Sequence, residues 1–313
     1  MHASLHALTA ELKRLKASGV KSLPVSDASL AQLRTALTRR AGIRPSASTP
    51  PAVAAEPAVG PQPAVAAEAS VPYKAPARTF TIKPAATPVP AIPAPVPFTL
   101  PAGDKPTRWA ALRARVLADE FCRAQVRPGK QVVFGVGSLD AKIMFVGDAP
   151  GAEEEVQGEP FVGPAGQLLN KMIGAMGLKR ADVYIGNVMN WRPQMPVDVS
   201  GVQYGSRPPS PPELAYCLPY LQAQIEVVNP ALLVALGSVA ASGLLGPDTF
   251  KTLGEVRGHW KEFAGKPLMV TYHPSYILRN QSNQSKRLIW EDLLKVMERA
   301  ELPIAEKTRG FFL

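Results

Sequence analysis

Proline is the residue that most limits what this chain can become. Between about Ser46 and Lys105 the sequence is dominated by Pro, Ala and Val, as in Pro50-Pro51-Ala52-Val53-Ala54-Ala55 and Pro88-Val89-Pro90-Ala91-Ile92-Pro93. Each proline removes a backbone donor and fixes φ, so this stretch can join neither a sheet nor a helix interior. It reads as a semi-extended, polyproline-like spacer. The 313 residues therefore divide into a basic helical arm (1–44), a disordered Pro/Ala-rich linker (45–107) and one folded domain (108–313), an ordinary size for a single core.

The net charge of +10 is unevenly placed. The arm carries eight Lys or Arg against two acids, the linker four against three, which leaves +3 for the domain. Leu5, Leu8, Leu12 and Leu15 have helical spacing, and so do Leu30, Leu33 and Leu37 after the N-cap candidates Ser26 and Asp27. A basic helical arm fits a sequence-independent anchor to a polyanion, and equally a solvated helical surface. The two cysteines, Cys122 and Cys217, are too few for a disulfide framework. No apolar run approaches a membrane span, and Leu5-His6-Ala7-Leu8 is soon followed by Glu11, Lys13 and Arg14 rather than by a signal-peptide core. The expectation is a soluble, cytoplasmic monomer.

Within the domain, apolar runs at 142–146, 183–188, 231–236 and 266–272 read as strands, with a shorter one at 132–135. Helical spacing covers 109–121, 163–176, 212–228 and 286–300, with another helix after Gly237-Ser238. The alternation predicts an α/β fold, a three-layer α/β/α sandwich around a mainly parallel four-stranded sheet.

Ligands in such sheets bind outside the carboxyl ends of the strands. Gly147-Asp148-Ala149-Pro150-Gly151 leaves one strand and His273-Pro274-Ser275 leaves another. Glycines at both ends of the first segment allow a sharp turn and close approach to a ligand, although a turn with an Asx contact explains Asp148 as well. The run Glu153-Glu154-Glu155 reads as a solvated helix start rather than a metal site. Phe161 precedes a helix, where it is either a core residue or a ring on which a planar base stacks. Asn187 ends a strand and offers the donor and acceptor that suit a pyrimidine edge, or simply forms a turn. His273, fixed by Pro274, is placed to donate a hydrogen bond into a pocket. Alone, a core or capping histidine is the commoner explanation.

Taken together, Gly147–Gly151, Gly158-Glu159-Pro160-Phe161-Val162-Gly163-Pro164-Ala165-Gly166, Tyr184-Ile185-Gly186-Asn187-Val188 and Tyr272-His273-Pro274-Ser275 resemble the uracil-DNA glycosylase superfamily, in particular its iron–sulfur branch, family 4. The resemblance covers about residues 132–300 and implies excision of uracil from DNA. It implies that Asp148 and His273 are catalytic and that Gly147, Ala149, Pro150, Gly151, Phe161 and Asn187 bind the base. Ser275, Tyr276 and Arg279 follow as DNA contacts, with residues 276–279 as a wedge into the vacated stack. The arm would then contact DNA or a repair partner.

Two departures stand out. The branch holds a [4Fe–4S] cluster with four cysteines, whereas only Cys122 and Cys217 match here, with Gln125 and Trp191 at the other positions. Two thiols cannot build a four-thiolate site, so no cofactor and no metal is expected, the cysteines being remnants and Trp191 filling the space. Asp148 also stands where a longer glutamate is commoner. Residues 194–207 form a longer connection than usual and contain no histidine. The rival readings are a diverged DNA- or base-binding protein of the same fold, and an unrelated nucleotide-handling enzyme. The absence of a G-x-x-x-x-G-K-[S/T] loop disfavours the last.

Overall fold

The computed structural model describes residues 92–197, 203 and 205–313. The arm and most of the linker, like part of the 194–207 connection, lie outside the described residues. Helix α1 (Lys105–Ala118) opens the fold, capped by the Asp104 carboxylate, and Asp119 then caps the short α2 (Glu120–Ala124). Strands β1 (Val136–Gly137) and β2 (Ile143–Gly147) follow, then α3 (Glu154–Gln157) and α4 (Pro164–Ala175). After β3 (Tyr184–Asn187) come α5 (Pro211–Val228), β4 (Leu232–Leu236) and α6 (Gly237–Leu245). The chain closes with β5 (Trp260–Phe263), β6 (Lys266–Thr271), α7 (Pro274–Arg279), α8 (Asn283–Arg299) and α9 (Glu306–Arg309).

The sheet order is β1-β3-β2-β4-β6-β5. Its four inner strands are parallel and are the four main strands expected from the sequence, while β1 and β5 pair antiparallel at the edges. The sheet thus has six strands rather than four. The edge strands escape the sequence pattern because they are short and lack a buried face: β1 has two residues, and Lys261 and Glu262 of β5 are exposed. Residues 132–135 are not a strand. Val133 instead exchanges hydrogen bonds with the Asn190 carbonyl and the Asn190 carboxamide, at 2.8 and 3.0 Å.

Inner strands are apolar on both faces, as a covered parallel sheet requires. Met144, Val146, Leu233, Ala235, Leu268 and Val270 pack under α1, α5 and α6. Their alternating neighbours Ile143, Phe145, Leu232, Val234, Leu236 and Met269 pack under α4 and α8. The chain passes from β2 to β3 on one side and returns across β2 to β4 on the other. That reversal opens a crevice at the carboxyl ends of these strands.

The folded unit begins upstream of residue 108. Ile92, Phe98 and Leu100 pack on the first core, and Lys105 Nζ donates to the carbonyls of Leu139 and Val228 at 2.9 and 3.0 Å. The buried Tyr184 hydroxyl accepts from Trp109 Nε1 and donates to Gln224 Oε1, both at 3.0 Å. Among the described residues no helix is long and apolar enough to cross a membrane.

Asp119 ties α2 to α5. Its carboxylate accepts from the Cys122 backbone N–H at 2.6 Å and from the hydroxyls of Tyr216 and Tyr220 at 3.0 and 2.7 Å. Burial works against its charge, but these donors outweigh burial and lower its pKa. A depressed carboxylate pKa contributes stability that is present above the unfolded value and lost as pH falls through the folded one. Asp119→Asn is therefore expected to unfold at lower urea than the parent at pH 7, by about 1–2 kcal/mol. The gap should narrow below about pH 4, near the ordinary carboxylate range, in urea titrations run at both pH values.

Candidate active site

Strand β2 delivers the first loop. A side chain at Gly147 would come within 2.4 Å of Asn187 Oδ1 and 2.5 Å of Phe161 Cζ, so glycine there lets both groups close over the strand tip. The loop stays paired with β3 beyond the strands, through Val188 N–H to the Gly147 carbonyl (2.9 Å) and Met189 N–H to the Asp148 carbonyl (3.0 Å). Asp148 turns back to accept from the Ala149 N–H at 2.8 Å and stays one-third exposed.

Of the acidic run behind this loop, only Glu153 is exposed. Glu154 and Glu155 are both buried. Glu154 Oε2 accepts from Gly151 N–H at 3.1 Å, and its Oε1 accepts from the N–H groups of Val162 and Gly163, each at 3.0 Å. Glu155 pairs with Arg192 at 2.8 Å, with both side chains about 8% exposed, and Arg192 in turn donates to the Gly205 carbonyl. A buried carboxylate needs such partners. Three consecutive acids look like a surface in sequence, because the donors to Glu154 are backbone amides and the donor to Glu155 is an arginine 37 residues away.

Phe161 adopts a left-handed backbone, φ 53°, which costs an L-residue about 1–2 kcal/mol. Its ring lies 5.6 Å from the His273 ring, tilted by 32°. Gly166 makes room beneath, where a side chain would run into the Phe161 carbonyl.

His273 caps α7 by accepting at Nδ1 from the Ser275 N–H at 3.1 Å, and the Ser275 hydroxyl lies 2.8 Å from the same nitrogen. With Nδ1 accepting, the neutral ring carries its proton on Nε2. That nitrogen faces Asp148 Oδ1 across 4.0 Å, too far for a hydrogen bond. Burial lowers the His273 pKa below its ordinary value; Asp148 and Glu154 oppose the shift and Arg279 reinforces it. Asn187 is buried, and its Oδ1 is an acceptor with no partner.

These groups surround one cleft of about 380 Å³. Asp148, Ala149, Pro150, Gly151, Phe161, Asn187, His273, Ser275 and Arg279 all line it, with Gly147 directly beneath. Tyr276 does not. It stacks on Tyr272 with ring centroids 4.3 Å apart and packs toward the second core, as does the buried Ile277. Of the expected wedge, Leu278 and Arg279 remain available, Leu278 being an exposed apolar side chain. The sequence reading missed the wall formed by Ser206, Arg207 and Pro209, and the floor at Gly237 and Ser238. Gly237 has φ 91°, and a side chain there would reach 3.0 Å from His273 Cβ.

The positions matching a four-cysteine cluster do not fit one. Cys122 and Cys217 are buried and free, whereas Trp191, 1% exposed, packs edge-on against Phe121 and less closely against Tyr216. Among the described residues, no group of three or more His, Cys, Asp or Glu could hold a metal ion.

A family profile described as the Uracil DNA glycosylase superfamily matches residues 134–294. Relatives include a type-4 uracil-DNA glycosylase of Thermotoga maritima, 43% identical over 165 residues that make up 52% of this chain and 80% of the relative. Another type-4 uracil-DNA glycosylase, from Saccharolobus solfataricus, is 38% identical over 194 residues, 58% of this chain and 84% of its own length. A type-5 uracil-DNA glycosylase of Pyrobaculum aerophilum is 29% identical over 168 residues, 52% and 73% of the two chains.

The lowered His273 pKa generates a direct test. In ¹⁵N-resolved imidazole spectra, His273 is expected as the Nε2–H tautomer at pH 7, with a titration midpoint below 6.5. A midpoint above 7, or the opposite tautomer, contradicts this account of the site.

Proposed function

The chain belongs to the uracil-DNA glycosylase superfamily, and from that premise we propose that it hydrolyses the N-glycosidic bond of uracil in DNA, leaving an abasic site for repair. The observation that carries the reading is the unpartnered Asn187 Oδ1, buried in a cleft that is also lined by a neutral imidazole donor and by the Phe161 ring. Buried acceptors are rarely left without a donor. The N3–H of an extruded uracil supplies one, while its plane stacks on Phe161.

Bond cleavage leaves positive charge on the sugar and negative charge on the departing base. His273 Nε2–H donates to the base as the negative charge grows, a preorganised contact that stabilises the transition state more than the ground state. Because the ring starts neutral, it presents a fixed donor without first shedding a proton. Asp148, one-third exposed, stabilises the sugar cation and orients the attacking water. The Ala149–Gly151 loop shapes the remaining edge of the base. Ser275 and Arg279 at the mouth meet the DNA backbone, whereas Tyr276 acts indirectly by bracing α7. Extruding the base costs a few kcal/mol, which these contacts offset.

The glycosylase domain spans the described residues, and the basic segment 1–44 supplies an electrostatic tether to DNA or to a repair partner. We read the enzyme as a cytoplasmic monomer that works without a cluster. In place of four thiolates, Trp191, Phe121, Tyr216 and the Asp119 hydrogen bonds hold α2 against α5. The purified protein is therefore expected to be colourless and iron-free, with excision unaffected by chelators. About four irons per chain, with activity lost on their removal, contradicts this.

Incubation with a uracil-containing oligonucleotide, followed by alkaline cleavage, tests the activity. Wild-type protein is expected to release uracil, and Asn187→Ala and His273→Ala to lower the rate about 10²-fold or more, the scale for removing a preorganised donor. Tight DNA binding with no base release at any pH would favour the diverged binding protein.

A further inference from the structure

Six non-glycine residues among those described have positive φ, and Phe161 is the one that lines the cleft. A strained conformation persists only where its surroundings over-determine it. Beyond Phe161, the N–H groups of Val162 and Gly163 donate to Glu154. The carbonyls on either side of the Phe161 Cα are held by a single guanidinium. Arg180 Nη2 donates to the Pro160 carbonyl at 2.6 Å, and Nη1 donates to the Phe161 carbonyl at 3.1 Å and to Asn170 Oδ1 at 3.0 Å.

Arg180 opens the 3₁₀ turn Arg180–Asp182 just before β3, so it is anchored to the sheet rather than to the loop it grips. Its charge faces Glu159 and Glu154, and burial lowers its pKa. Two successive carbonyls turned toward one planar fork fix the peptide on either side of the Phe161 Cα. That in turn sets the direction of the ring. A lysine has the same charge but a single point donor and cannot reproduce the fork.

We propose that Arg180 is a positioning residue for base stacking: it holds Phe161 in its left-handed conformation so that the ring faces the extruded base. This rests on the glycosylase reading above. Arg180 does not line the cleft, so it acts through Phe161 rather than on substrate.

The test compares the full-length chain with Arg180→Lys, Phe161→Ala and the double variant. Single-turnover uracil release, affinity for undamaged DNA, melting temperature and the NMR signals of the His273 ring are measured for each. Arg180→Lys is expected to lower the release rate about tenfold, within the loss a misplacement of about 1 Å can cause. Affinity for undamaged DNA should stay within about twofold, because the phosphate contacts that supply it are elsewhere. In the Phe161→Ala background the same change should matter less than about twofold, since no ring remains to place. The His273 ring signals should move in Arg180→Lys, as the neighbouring Phe161 ring shifts.

A wild-type rate in Arg180→Lys overturns the proposal, and so does an equal loss in both backgrounds. Unchanged His273 signals also overturn it, even if the wild-type protein releases no uracil, an outcome that would separately sink the glycosylase reading. Should Arg180→Lys fold poorly, Asn170→Ala removes one partner of the guanidinium at an exposed helix position. It should give a smaller change of the same sign.

Discussion

A single buried carboxylate joins the two loops on which the cleft depends. Glu154 accepts from Gly151, the last residue of the turn that carries Asp148, and from Val162 and Gly163, which follow Phe161. Without that bridge the acid and the aromatic ring would be set by independent loops. With it, a shift of either is a shift of both. The charge is satisfied by backbone amides, which cannot change rotamer, and charge-assisted bonds of this kind are about twice as strong as neutral ones.

Around this bridge, tight packing does the remaining placement. Glycine at 147 lets Asn187 and Phe161 meet over β2, glycine at 166 admits the Phe161 carbonyl, and glycine at 237 brings α6 against His273. Each removes a Cβ that would press on a neighbouring residue of the site. The electrostatics follow from the same closeness. His273 is buried enough to stay neutral, yet keeps Asp148 4.0 Å away. The cleft therefore holds a neutral donor and a carboxylate side by side without the two pairing off.

Much of this was legible in the sequence, because the four inner strands are apolar runs and their tips carry the motif residues. Asp148, Phe161, Asn187 and His273 were all anticipated, and they line one cleft. What escaped did so for physical reasons. The partners of Glu154 are backbone amides, which have no sequence signature, and Glu155 is neutralised by a distant Arg192. The edge strands are too short or too exposed to show alternation. Tyr276 read as part of an exposed wedge, but the turn of α7 directs it onto Tyr272. The carbonyls that Arg180 grips likewise have no sequence signature.

Aromatic packing of Phe121 against Trp191 and Tyr216, together with the Asp119 hydrogen bonds, joins α2 to α5 away from the loops that line the cleft. The most direct test of the convergence of those loops is a crystal structure with free uracil soaked in. The account predicts uracil stacked on Phe161, with its N3–H toward Asn187 Oδ1 and a carbonyl toward His273 Nε2, each at hydrogen-bonding distance of about 2.9 Å. Uracil bound elsewhere, or seated here with Asn187 Oδ1 still lacking a donor, would contradict it.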